Sequence, residues 1–163
     1  VQFATDVDSR VIVGVAATNL GSDQATLVPM LDQVEARTGH HPGAYLADAG
    51  FAKGSNIVEA TARGICVYMP PPEPKTERDP GDPCRGDTPA EQTWRARMAT
   101  EEAKGIYRQR AATAEWTNAD VRTHRTLSRF VVRGLAKVTT CAVWVALAHN
   151  MLRTMDIVPH LMT

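Results

Sequence analysis

Ala44-Tyr45-Leu46-Ala47-Asp48-Ala49-Gly50 and, further along, Ile65-Cys66-Val67-Tyr68-Met69 are the two stretches that decide the fold. Both open on short apolar runs, the composition of strands covered on both faces. Between them, Ser55 to Arg63 reads as a helix stopped by Gly64. Strands alternating with helices predict an α/β fold whose sheet has mixed pairing. The first run stops at Asp48, which places a carboxylate at a strand's C-terminal tip. Open α/β sheets hold their ligands there. A turn or N-cap role for Asp48 is the competing reading.

Working outward, Val1–Thr5 and Val11–Thr18 are β-rich and are split by Asp6-Val7-Asp8-Ser9, which predicts a hairpin. Ser22-Asp23 opens a helix that carries Leu27, Met30, Leu31 and Val34 at helical spacing and ends at Gly39. Residues 70–89 hold seven of the ten prolines and read as a loop or insertion within one domain, 1–163. The helical part covers 90–153, divided by a break at Gly105 and a turn near Ser128. In all, strands are expected near 1–5, 11–18, 44–48 and 65–69. Helices are expected near 24–37, 53–63, 90–104, 106–120 and 134–152. The last helix is apolar on most faces and should pack centrally. Its densest run, Val138 to Leu152, is too short to span a bilayer.

The 163 residues suit one ordinary domain, and 44% hydrophobic with 22% charged residues excludes wholesale disorder. Cys66, Cys84 and Cys141 are scattered, which argues against a zinc site or disulfide framework and fits a reducing cytosol. Net charge is zero, but residues 1–94 carry 7 Lys/Arg against 13 Asp/Glu, and residues 95–137 carry 10 against 4. Such a basic block suits a polyanion partner or a solvated helix face. No phosphate-cradling glycine loop and no nucleophile elbow is present.

Glu115 is the second candidate acid. Arg108 lies seven residues before it and Arg122 seven after, so on an α-helix all three share nearly one face. The bland alternative is an exposed ion-pair ladder. Trp116, Tyr107 and Arg110 add aromatic and basic neighbours, groups that hold phosphates and stack on bases but also serve as core. Asp23 reads most simply as an N-cap and Asp6 and Asp8 as turn residues. His149-Asn150, on the apolar helix, reads as structural.

The order Val1-Gln2-Phe3-Ala4, Thr18-Asn19, Ala47-Asp48-Ala49-Gly50-Phe51 and Tyr68-Met69-Pro70 resembles the catalytic domain of bacterial insertion-sequence DDE transposases. The resemblance continues through Trp94-Arg95-Ala96-Arg97-Met98, Tyr107 to Glu115, Phe130 to Val138 and Ala146 to Asn150. It implies a ribonuclease-H-like mixed sheet with flanking helices, and an Asp-Asp-Glu triad that binds Mg²⁺ or Mn²⁺ as a two-metal site. By position the second Asp is Asp48 and the Glu is Glu115, whose carboxylates are then expected within reach of one metal. The family's Tyr-Arg-Glu signature maps to Tyr107, Arg110 and Glu115, with Arg122 where a Lys is usual. Four residues separate Arg110 from Glu115, one more than the commonest form. No residue here matches the first Asp, so the piece reads as lacking the first, central strand and as catalytically silent alone.

The implied function is metal-dependent cleavage and strand transfer at element ends, with DNA contacts from Tyr107, Arg108, Arg110 and Arg122. A homo-oligomer, no membrane partner and a cytoplasmic, nucleoid-associated location are the accompanying expectations. A related metal-dependent nuclease and an inactive DNA-binding or assembly remnant are the alternatives.

Overall fold

The computed structural model describes residues 1–19, 21, 23–72, 79–123 and 131–158. They divide into two compact units, Val1–Leu20 with Ala111–Thr163, and Gly21–Arg110. The turn expected near Ser128 lies outside the described residues.

In the first unit, β1 (Gln2–Thr5) and β2 (Ile12–Ala16) form the expected antiparallel hairpin, with Phe3 opposite Val15. Asp6 builds its turn: the carboxylate accepts from the Ser9 backbone N–H at 2.8 Å and from the Ser9 hydroxyl at 2.6 Å. Ile12, Val15, Val121, Ala142 and Ala146 form the buried core of this unit, with Phe3 and Val145 packed against it. The side-chain amide of Asn150 accepts from the Ile12 N–H and donates to the Ile12 carbonyl, both at 2.8 Å. It thereby satisfies the two backbone groups of Ile12, the first residue of β2, that face away from β1.

In the second unit, β3 (Ala44–Leu46) and β4 (Cys66–Tyr68) pair in parallel, joined through α2 (Gly54–Ala62). Helix α1 (Leu27–Thr38) precedes them and ends at Gly39, whose φ of 80° is the left-handed conformation that glycine adopts without strain. Helices α3 (Pro89–Ala99) and α4 (Glu101–Arg110) follow. The start of α3 is dictated locally: Thr88 and Glu91 form a reciprocal capping box, with Pro89 just inside. Leu27, Leu31, Ile57, Val67, Met69 and Trp94 belong to the buried core of this unit. The indole N–H of Trp94 donates to the Met69 carbonyl at 3.1 Å.

Tyr45 packs against this core, and burial pushes its phenol up to about 12. An unfolded tyrosine titrates near 10, so the native state holds this proton more tightly. The resulting stabilisation is complete below about pH 10 and disappears as pH rises to about 12. An ultraviolet titration should show Tyr45 ionising only near pH 12. Tyr45→Phe should remove that late ionisation and the loss of stability that accompanies it.

Four expectations are corrected. Among the described residues the strands form two separate two-stranded sheets, not one mixed sheet. Asn150 occupies the outward groups of Ile12, and β3 and β4 are three residues each. The first helix begins at Leu27, after a short 3-10 turn at Asp23–Ala25. Gly105 lies inside α4, and the break falls at Thr100. There the backbone is extended, and the hydroxyl donates to the Arg97 carbonyl and accepts from the Ala103 N–H, closing one helix and opening the next.

The fourth concerns the last helix, α6 (Leu135–Ile157), which does not pack centrally. It buries Ala142, Ala146 and His149, while Trp144, Leu147 and Met151 are exposed. At 23 residues it is long and apolar enough to cross a membrane by length and composition, unlike the shorter run read from the sequence.

Candidate active site

Asp48 stands where the strand reading put it. The Ala47 N–H still reaches the Tyr68 carbonyl at 3.2 Å, so strand pairing continues to the residue before it. Asp48 then turns into a short 3-10 turn, Ala49–Phe51, yet its carboxylate makes no cap hydrogen bond. The carboxylate is instead met by Arg110 Nη2 at 2.5 Å, a charge-assisted contact. The capping role therefore does not account for Asp48. Arg110 also lies 6.0 Å over the ring of Tyr107, which is itself packed against the unit's core.

A hollow of about 600 Å³ opens in the same unit. Pro70, Pro71 and Met98 give it apolar walls, and Lys104, Tyr107 and Arg108 give it polar ones. Much of the basic block is already occupied by local partners. Arg95 pairs with Asp87 at 2.8 Å, Lys104 with Glu101 at 2.8 Å, and Arg97 reaches the Val67 carbonyl. Among the described residues, Arg108, Arg133 and Lys137 have no carboxylate within ion-pair distance. The cations available for an external anion are therefore fewer than the charge count suggests.

Glu115 belongs to the first unit. It closes a five-residue π-helical turn, Ala111–Glu115, followed by α5 (Trp116–Thr123). Its side chain is exposed, and among the described residues nothing pairs with it. A π-helical turn uses i→i+5 hydrogen bonds and takes in one residue more than an α-helical turn. The extra residue between Arg110 and Glu115 was the sequence signal for it. The same turn ends the α-helical periodicity that was to align Arg108 with Glu115. Arg122 is on α5, but its side chain lies outside the described residues.

Residues 85–155 match the family profile described as the transposase DDE domain. The chain resembles a DDE transposase. The match contains Tyr107, Arg108, Arg110, Glu115 and Arg122 and does not reach Asp48. No curated protein and no solved structure matches the chain.

A DDE site implies divalent metal. Asp48 and Glu115, taken singly, each offer hard carboxylate oxygens, the donor type that suits Mg²⁺ or Mn²⁺. No group of three potential ligands comes together among the described residues.

The sequence reading missed how Trp116 is used. Arg10 lies 4.7 Å over its ring, Arg153 lies 5.8 Å from it, and His149 meets it edge-on with ring centres 6.0 Å apart. No local spacing signals an arrangement drawn from a hairpin turn and two helices.

Proposed function

We propose that this chain acts on DNA as part of a transposase, in metal-dependent strand cleavage and strand transfer at element ends. The observation that carries the reading is the DDE match over residues 85–155, which contains Glu115 and the Tyr107–Arg110 segment. It is supported by the contact of Arg110 with a carboxylate that caps nothing, Asp48. Asp48 and Glu115 are the residues that would hold Mg²⁺ or Mn²⁺. When bound, such ions activate the attacking oxygen and stabilise the leaving one. Arg110 fixes the Asp48 carboxylate, and Arg108 and Tyr107 face the hollow where a phosphate backbone is to be held. The protein works on bacterial DNA in the cytoplasm and as a homo-oligomer.

DNA affinity of the purified chain tests the binding half of this reading. Phosphate contacts release counterions, so affinity should fall linearly in log–log form with salt, by about 0.9 per contact. Arg108→Glu and Arg122→Glu should each lower that slope by about one. Unchanged slopes in both would place DNA elsewhere. Strand-transfer products from a donor end and a target plasmid separate a transposase from a simple nuclease or a binding remnant.

A further inference from the structure

The hairpin turn of the first unit holds an arginine in a conformation that arginine disfavours. Arg10 has φ of 59° and is the only non-glycine residue with positive φ among the described residues. Non-glycine residues rarely adopt this region, and such strain persists only where the surroundings enforce it.

Here they enforce it from several directions. The Arg10 N–H donates to the Asp6 carbonyl at 2.9 Å. Its carbonyl is held by His149 Nε2 at 3.0 Å, and His149 Nδ1 is anchored to Asp120 at 2.9 Å. His149 is fully buried, so this anchor is rigid. One residue earlier, the Ser9 carbonyl accepts from Arg153 Nε at 3.2 Å and Nη2 at 3.0 Å.

The outcome of all this bracing is the position of one guanidinium. It lies over the indole of Trp116, which is 39% exposed and follows Glu115 directly in the chain. Among the described residues no carboxylate pairs with it. Three acids of this unit have other engagements: Asp6 with Ser9, Asp120 with His149, and Asp156 with Arg153 at 3.1 Å. A stacked guanidinium keeps its planar fork of N–H donors free at the edge, the geometry that takes a phosphate bidentately.

We propose that Arg10, braced over Trp116, is a phosphate-binding site for the DNA backbone, separate from the basic helical block. The proposal rests on the reading that the chain binds DNA, and it names a contact which that reading does not supply.

Arg10→Asn is the informative variant, because asparagine tolerates this backbone conformation while removing the cation. In duplex-DNA titrations over a salt series, the variant should fold normally and lose about one from the salt slope. That corresponds to roughly tenfold weaker binding near 0.1 M salt. A folded Arg10→Asn chain with wild-type affinity and slope overturns the proposal and leaves Arg10 as a brace for Trp116. Tryptophan emission gives a second reading on the wild-type chain, where DNA should change a signal that is absent in Trp116→Phe. An equal change in Trp116→Phe also overturns the proposal. Failure of the wild-type chain to bind DNA at any salt removes the functional reading itself, and the site with it.

Discussion

Asp48→Asn and Glu115→Gln should each lower transposition by the gene encoding this chain by at least about a hundredfold. Metal-ion stabilisation of a phosphoryl-transfer transition state is worth several kcal/mol, and each 1.4 kcal/mol is about a factor of ten. Each change removes a charged metal ligand and keeps the shape of the side chain. Folding should scarcely register either one. The Asp48 side chain is 57% exposed in its contact with Arg110, and such pairs contribute under about 1 kcal/mol. Glu115 is exposed and unpaired among the described residues. The combination to look for is lost transposition with DNA affinity within about twofold and an unchanged melting temperature. If either variant lost DNA binding in proportion to activity, that carboxylate would be a structural group.

The largest effect on stability should come from Trp94→Ala. Its indole is 3% exposed, and its N–H satisfies the Met69 carbonyl. Truncating a buried aromatic costs about 3–5 kcal/mol, and orphaning the carbonyl adds to that. A unit of this size holds only about 5–13 kcal/mol in total. The buried cores of the two units share no residue. Hydrogen exchange of Trp94→Ala should therefore show protection collapsing at Ile57 and Val67 while Val15 and Ala146 keep theirs. Uniform loss across both sets would mean that the two cores melt as one.

Much of this was legible because local chemistry decided it. Asp6 and Ser9 announce a turn, Gly39 announces a helix end, and the apolar runs at Ala44 and Ile65 announce buried strands, since each signal acts within a few residues. The place of Asp48 at the C-terminal tip of a strand was legible for the same reason. Thr100 was passed over in favour of Gly105, because glycine weakens a helix without being required to end it, whereas a threonine hydroxyl can serve two helix ends at once. The outward position of Trp144 could not be read, since α6 is apolar all round and its pattern does not say which stripe is covered. The π-helical turn left one trace, the extra residue before Glu115. The Arg10–Trp116–Arg153 cluster left none, because its parts meet only after a hairpin turn and two helices are in place.

The amide of Asn150 has a consequence for how the protein behaves at high concentration. A two-stranded hairpin normally shows a row of unmet N–H and C=O groups along its outer strand, and such a row recruits strands from other molecules. At Ile12 both groups are taken by a side chain from a helix. A helix cannot lengthen a sheet, so it closes that position without offering a new edge in exchange. The hairpin is guarded against templated growth there by one asparagine, at the cost of a single side chain and no additional strand.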